Sequence, residues 1–215
     1  SLAGLFPYPA ADGSISANVD DARTAAERCA SNVGEELRFF TTANTARDMD
    51  QIRTALGAEK ISYWGRSYGT YLGTVYASLF PERADRVVLE GNVDPTKVWA
   101  HAKDNWGKAM SERFPDAARV AAAQHATLEL GSTVDEVPQE YLALADHLDR
   151  TPASVPGAPL SLTGSMLRTV TYSLLLHDED LPMLTQFWKA AAGLADGTLT
   201  EADGQVLQQV FAAPP

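Results

Sequence analysis

Ser67 stands between two glycines in the run YWGRSYGT, residues 63–70, whose centre fits the pattern G-x-S-x-G. A serine hydroxyl can attack a carbonyl carbon and form an acyl-enzyme when a neighbouring base takes its proton. Glycines two positions before and after such a serine let a strand and a helix meet at a tight turn. Because glycine and serine are common residues, the pattern acquires meaning only from the elements around it.

A helix is predicted before this turn, over residues 45–56. Thr45 followed by Asp48 resembles a capping box, and Gly57 stands where a C-terminal cap belongs. The apolar residues that predict the buried face are Ala46, Met49, Ile52 and Leu56. An earlier Ala-rich stretch, residues 16–40, also predicts a helix, which Gly34 weakens.

A strand, a turn, a helix and a second strand follow in order. Residues 60–64 are β-prone, Gly65 opens the turn, and a helix is predicted from about Tyr68 until Pro81 ends it. The apolar face of this helix is predicted from Leu72, Val75, Tyr76 and Leu79. Residues 86–91 predict the second strand. This order is typical of a β-α-β unit in a parallel sheet, so the predicted fold class is α/β.

The predicted elements place Ser67 at the carboxyl end of a parallel strand, where such sheets bind ligands. The following helix directs its first N–H groups and the positive end of its dipole towards the same place. The backbone N–H of Tyr68 is therefore a candidate oxyanion-hole donor, and Ser67 a candidate nucleophile. This chemistry calls for no cofactor and no metal.

A mostly helical part is predicted after residue 99. Its helical patterns cover residues 100–113, 116–130, 138–149, 164–176 and 181–195. The proline-bearing stretch 151–159 predicts an irregular loop or a small hairpin. We therefore divide the chain into residues 1–99, which carry the sheet and the turn with Ser67, and residues 100–215, which form a helical cap or lid.

Three runs carry a family resemblance: TTANTARDMDQIRTALG (41–57), ISYWGRSYGTYLGTVYASLFPERADRVVLEGNVDP (61–95) and Trp99. They resemble the nucleophile region of the α/β-hydrolase peptidases related to proline iminopeptidase, in particular the secreted, tripeptidyl-aminopeptidase-like branch of actinobacteria. Residues 7–40 are similar more loosely, and the part after residue 100 matches the family's helical cap by position and character. The resemblance implies a partial α/β-hydrolase fold with a mostly helical cap, and secretion.

In such a fold the acid and the histidine of the catalytic triad follow the serine in sequence. The resemblance places them after the cap, and it places an HGGPG-type loop upstream of the nucleophile; neither is present in the sequence. We therefore expect the chain to be a portion of a larger hydrolase, with a second chain or fragment as the partner that supplies the remaining sheet and the triad Asp and His. A two-stranded parallel unit also needs more sheet to bury both faces.

The chain's own polar residues are weaker candidates for the triad. His101 is nearest to Ser67 in sequence, on the first predicted cap helix, and His125 and His147 lie in later cap helices. His177 is expected between two helices, where Asp178 or Asp180 is a plausible N-cap. Asp94 follows the second strand and could mimic a triad acid, but an Asp before a proline is more typical of a turn.

Composition excludes some classes of partner. The net charge of −11 disfavours nucleic acid and anionic membrane surfaces. No apolar run reaches the length of a membrane span and the N-terminus lacks a signal pattern, so we expect a soluble chain. Cys29 is the only cysteine. It is a small buried residue, a catalytic thiol, or half of a disulfide whose partner lies outside this chain; the resemblance implies the last, with an upstream cysteine.

The resemblance implies a serine exopeptidase that releases short peptides or single residues from peptide N-termini. Such an enzyme must bind a free α-ammonium, and Glu179 and Asp180 are candidate substrate-binding carboxylates; otherwise they form a solvated turn. Two other functions stay open. The same machinery could act as an esterase or amidase on small acyl substrates, or the chain could be a non-catalytic binding chain.

Overall fold

The structure is a computed structural model that describes residues 8–10, 12–98, 101 and 104–212. Trp99 and the predicted boundary between residues 99 and 100 lie outside the described residues. The chain forms two compact units, one of Ala22–Trp106 and one that joins Ser1–Asp21 to Gly107–Pro215. The described residues of these two units are called the sheet unit and the helical unit. The role of the helical unit as a lid stays a prediction.

The elements of the first half are α1 Ser16–Val33, α2 Thr42–Ala55, β1 Ile61–Arg66, α3 Tyr68–Leu79 and β2 Ala84–Glu90. Those of the second half are α4 Asp104–Ala123, α5 His125–Leu128, α6 Val137–Arg150, β3 Ala153–Ser154, β4 Ser161–Leu162, α7 Gly164–Leu174, α8 Leu181–Asp196 and α9 Glu201–Ala212. Short 3₁₀ turns occupy Gly34–Phe39, Pro81–Arg83 and Asp178–Asp180. Gly34, with a φ of +59°, ends α1 where the sequence predicts a weakness.

The predicted β-α-β unit is confirmed. Strands β1 and β2 are parallel, with Trp64 opposite Val88 and Gly65 opposite Leu89. Helix α3 connects them and packs on both. On the outer face of this sheet Trp64 and Val88 are 66% and 57% exposed. The α/β class, with a small parallel sheet and a mostly helical second part, is therefore as the sequence predicts.

Helix α3 approaches β1 through glycines. A Cβ placed on Gly65 would lie 2.5 Å from Cε1 of Tyr63 and closer still to the carbonyl oxygen of Gly69. A Cβ on Gly73 would lie 2.5 Å from the same Tyr63 carbon. The Tyr63 hydroxyl donates a 2.8 Å hydrogen bond to the carbonyl of Gly69, so the tyrosine ring fills the space that these glycines leave.

The buried faces of α2 and α3 differ from those predicted. In α2 the buried residues are Ala46, Asp50 and Arg53, while Ile52 and Leu56 are exposed. In α3 they are Thr70, Gly73 and Tyr76, and Leu79 is exposed. Ala46 and Tyr76 are buried as predicted, but the prediction was wrong for the three exposed residues because it followed apolar residues alone. Small and paired polar side chains line the contact between these helices instead.

A hydrogen-bonded ion pair lies in the contact that α2 makes. The Arg53 Nε donates to Asp50 at 2.7 Å, and its Nη1 donates to the carbonyl of Ala58 at 2.5 Å. The Tyr76 hydroxyl of α3 donates to Asp50 at 3.4 Å, and Arg83 lies 3.5 Å from the same carboxylate. The pair thus joins α2 to the segment before β1 and to α3, and the hydrogen bonds offset the desolvation of the two charges.

The ends of α2 are also informative. The helix begins earlier than predicted, because Thr41 is the N-cap and accepts a hydrogen bond from the Asn44 N–H, while Thr45 lies inside the helix. Gly57, at φ +65°, closes the other end. Its N–H and that of Ala58 bond to the last carbonyls in a Schellman arrangement, which confirms the predicted cap.

The helical unit is built around α8. The buried side chains of this helix are Leu181, Leu184, Thr185, Phe187, Trp188, Ala190 and Ala191. Trp188 stacks on Phe114 at 5.1 Å and donates from its indole N–H to Thr171. Tyr141 packs against the same indole, and burial raises the pKa of its hydroxyl to about 12. A large aromatic cluster therefore stabilises this unit.

Several predictions for the second half need correction. The predicted break between residues 113 and 116 is absent, since α4 runs through Pro115 with Arg113 paired to Asp116 across it at 2.5 Å. Helix α9 lies beyond the predicted segments. The small hairpin is present as β3 and β4, which pair antiparallel.

Cys29 is exposed, so its interpretation as a buried residue is wrong.

None of the helices in the described residues is both long enough and apolar enough to cross a membrane.

The glycine contact predicts a stability effect. Gly65→Ala is expected to destabilise the protein by about 1–3 kcal/mol, because the added methyl must displace backbone rather than a flexible side-chain end. Thermal unfolding measures the difference. Gly107→Ala is the matched control: its Cβ would meet nothing within 4 Å, and in the helix α4 alanine is favoured by roughly 0.5–1 kcal/mol. Equal effects of the two substitutions would contradict this packing.

The buried ion pair predicts a pH dependence. Hydrogen bonds from Arg53, aided by the charges of Arg53 and Arg83, hold the pKa of Asp50 below its usual value. Because the folded state binds this proton more weakly than the unfolded state, the stabilisation is present above the unfolded pKa and is lost as the pH falls through the folded pKa. Asp50→Asn is therefore expected to lower the melting temperature at pH 7, with a gap to wild type that narrows below about pH 3.8.

The control for this series is Asp48→Asn, an exposed position on the same helix that is expected to leave the melting temperature nearly unchanged. A constant gap between wild type and Asp50→Asn from pH 7 to pH 3 would show that the pair does not act through the Asp50 charge.

Candidate active site

Ser67 has an unusual backbone conformation. Its φ is 53° and its ψ is −122°, a region that side-chain-bearing residues rarely adopt. Among the described residues only Glu129 shares a positive φ without being glycine. The strain arises because β1 must turn into α3 within one residue while Gly65 and Gly69 bring the two elements into contact. Strain of this kind is typical of a nucleophile turn.

Both backbone groups of Ser67 are held. Its N–H donates to the carbonyl of Glu90 at 3.1 Å, which extends the β1–β2 ladder by one residue. Its carbonyl accepts from the Thr70 N–H at 2.9 Å and from the Thr70 hydroxyl at 2.7 Å. Ser67 is exposed and lies just beyond the carboxyl end of β1.

Tyr68 is the first residue of α3. The first N–H groups of a helix point along its axis and have no acceptor within the helix, so this end favours negative charge. The Tyr68 hydroxyl shares a 2.8 Å hydrogen bond with Thr42 at the start of α2. Beside it lies a cleft of about 580 Å³ without a charged residue in its lining, which consists of Phe40, Thr41, Thr42, Ala43, Thr45, Tyr68 and Tyr71.

The other triad candidates have different surroundings. Asp94 accepts from the Thr96 hydroxyl at 2.7 Å and from the Thr96 N–H at 2.9 Å, and these bonds lower its pKa. It therefore forms the turn that the Asp-Pro sequence predicts. The Nδ1 atom of His101 lies 3.2 Å from the carboxyl group of Asp104, the first residue of α4, and both side chains are exposed.

The three remaining histidines, His125, His147 and His177, are exposed residues of the helical unit.

Glu179 and Asp180 also belong to the helical unit, in the 3₁₀ turn that precedes α8. Glu179 is exposed and Asp180 is half-buried. Asp180 stands at the N-cap position of α8, as predicted, but its side chain makes no capping hydrogen bond. The neighbouring Asp178 pairs with Arg113 and fixes the turn against α4. Substrate binding by Glu179 and Asp180 stays a prediction.

Sequence reasoning missed the polar residues that support the turn. Thr70 and Thr42 bond to Ser67 and Tyr68, and Tyr63 bonds to Gly69. One of them could have been found from its position. Thr70 lies three residues after Ser67, where a hydroxyl at a helix start can reach back to a carbonyl. In the described residues no group of three or more His, Cys, Asp or Glu side chains is arranged to hold a metal ion.

Comparison with known proteins agrees with this geometry. The family described as alpha/beta hydrolase fold matches residues 22–203. "Tripeptidyl aminopeptidase" of Streptomyces lividans is 39% identical over 158 residues, which are 73% of this chain and 29% of that protein. "Serine protease Hip1" of Mycobacterium tuberculosis is 36% identical over 122 residues, which are 56% of this chain and 23% of that protein.

A shorter match, 34% identical over 67 residues, is to "Putative hydrolase YuaR" of Escherichia coli, and it covers 31% of this chain and 13% of the relative. The chain thus spans less than a third of the length of these relatives. The family match itself covers most of the chain and includes the strained turn at Ser67. The chain belongs to the alpha/beta hydrolase fold family.

Proposed function

We propose that this chain carries the nucleophile of a serine peptidase, and that Ser67 is that nucleophile. The observation that carries the proposal is the backbone of Ser67, strained at φ 53° and ψ −122° on a turn from a parallel strand into a helix. Such strain needs a supporting structure, and it is typical of a serine held clear of its neighbours for attack on a carbonyl. The names of the relatives, two of which are peptidases, support the same chemistry.

The proposed reaction proceeds through an acyl-enzyme. The Ser67 Oγ attacks the carbonyl carbon of a peptide bond as its proton passes to a base, and the amine leaves with a proton from that base. The Tyr68 N–H at the start of α3 donates to the oxyanion. Water then hydrolyses the ester. We place the base, its orienting acid and the second oxyanion donor in residues outside this sequence, in another part of the protein or in a partner chain.

The proposed substrates are peptides with a free N-terminus, from which the enzyme releases short peptides or single residues, outside the cell. The name tripeptidyl aminopeptidase of one relative supports this substrate class. Glu179 and Asp180 are our candidates for binding the α-ammonium, since they are adjacent carboxylates in a turn held by Asp178 and Arg113.

The nucleophile is tested by labelling the complete protein with a fluorophosphonate, which reacts with activated serines. We expect labelling of wild type and none of Ser67→Ala, because only an activated Oγ attacks phosphorus. Ser78→Ala is the matched control on the same helix, where the hydroxyl merely donates to the Thr74 carbonyl. Its labelling should equal that of wild type.

Absence of labelling in the folded wild-type protein would reject the catalytic function and favour a binding chain. If Ser67 is labelled, peptide p-nitroanilides and p-nitrophenyl esters separate peptidase from esterase. Turnover of the esters without any turnover of the anilides would reject the peptidase function.

The free N-terminus is tested by acetylating the peptide substrate. We expect kcat/KM to fall by about tenfold or more, because the α-ammonium loses its charge-assisted hydrogen bonds. The double substitution Glu179→Gln and Asp180→Asn should raise KM for the free peptide and not for the acetylated one. Glu201→Gln, an exposed carboxylate of the same unit, is the control. Equal kcat/KM for free and acetylated peptides would reject the exopeptidase assignment.

A further inference from the structure

We propose that Thr70 is a positioning residue, whose hydroxyl holds the Ser67 backbone in the conformation that the reaction needs. The proposal rests on the proposed role of Ser67 as nucleophile. Thr70 lies three residues after Ser67, in the first turn of α3, and is only 2% exposed.

Three hydrogen bonds define what Thr70 does. Its hydroxyl donates to the Ser67 carbonyl at 2.7 Å, and its N–H donates to the same oxygen at 2.9 Å. The hydroxyl oxygen in turn accepts from the N–H of Val93 at 3.0 Å. Val93 lies in the loop after β2, so one hydroxyl joins the strained turn to the segment that follows the neighbouring strand.

The geometry makes the hydroxyl the controlling group. A residue with the φ and ψ of Ser67 relaxes unless its surroundings fix it. The Glu90 carbonyl fixes the N–H of Ser67 and Thr70 fixes the carbonyl, so the Cα–Cβ bond of Ser67 has a fixed direction and the Oγ can only rotate about it. Without the hydroxyl, the Ser67 carbonyl still accepts a hydrogen bond from the Thr70 N–H. The Val93 N–H, however, loses the acceptor described here.

Burial strengthens this link. Water does not compete freely for a hydroxyl that is almost wholly enclosed, and a hydroxyl that donates to one group while accepting from another is polarised by both. Valine has nearly the shape of threonine, with a methyl in place of the hydroxyl, but it cannot donate or accept a hydrogen bond. Thr70→Val therefore removes the hydrogen bonds and keeps the shape, whereas Thr70→Ser keeps the bonds and removes only the methyl.

The experiment compares Thr70→Val, Thr70→Ser and wild type in the complete protein, by the rate of fluorophosphonate labelling and by kcat and KM for a peptide p-nitroanilide. We expect Thr70→Val to lose roughly tenfold to a hundredfold in labelling rate and in kcat, with KM nearly unchanged, because a misplaced nucleophile slows the chemical step. Thr70→Ser is expected to stay within about threefold of wild type.

Thr74→Val is the matched control. It makes the same chemical change one turn later, where the hydroxyl donates to the Thr70 carbonyl and does not reach Ser67. It should stay within about twofold of wild type. A labelling rate for Thr70→Val within about twofold of wild type, an equal loss in Thr74→Val, or no recovery in Thr70→Ser would each overturn the proposal.

A crystal structure of Thr70→Val gives a readout that does not depend on activity, and Thr70→Ala replaces it if the valine variant does not fold. We expect the Ser67 φ to leave its value near 53° and the peptide after Ser67 to rotate. An unchanged Ser67 backbone would overturn the role of Thr70 even in a protein whose wild type is labelled. Conversely, an unlabelled wild type with a rotated peptide in the variant would reject the proposed function and leave the positioning of Ser67 by Thr70 intact.

Discussion

The close approach of α3 to β1 is the constraint on which the rest of the sheet unit depends. Gly65 and Gly73 leave no room for a Cβ between strand and helix, and the ring of Tyr63 occupies the space around them. With the two elements in contact, the chain must reverse direction within a single residue. Ser67 is that residue, so its strained backbone is a geometric consequence of the glycine packing on either side.

Strain at one residue persists only when its neighbours are rigid. The ladder bond to Glu90 and the Thr70 bonds fix Ser67 directly. Farther away, the Asp50–Arg53 pair ties α2 to α3 through Tyr76 and to the segment before β1 through Ala58. Each of these contacts restricts a different element, and together they oppose relaxation of the turn.

The order of these elements was predicted well from the sequence, because β-prone runs, helical spacing and glycines at turns and helix ends are local signals. Gly57 and the turn at Asp94 were predicted from residue type alone, and both conformations are present. The buried face of α2 was not predictable from apolar spacing, since Asp50 and Arg53 are buried only by virtue of pairing with one another. Thr70 was missed for a different reason: its partners are backbone groups, and its position three residues after Ser67 was the one signal in the sequence.

The difference between contacts formed close to Ser67 in the sequence and contacts formed far from it also matters for the chemistry. Every described contact that fixes Ser67 and the residues around it comes from the sheet unit, and most come from residues 61–93. The backbone conformation of Ser67 and the helix start that follows it are therefore properties of one contiguous segment. In the proposed reaction, proton transfer and substrate choice are not, since we place the base outside this segment, while the helical unit packs around its own core. The segment can thus keep this turn geometry while the surrounding fold varies in what it presents to Ser67.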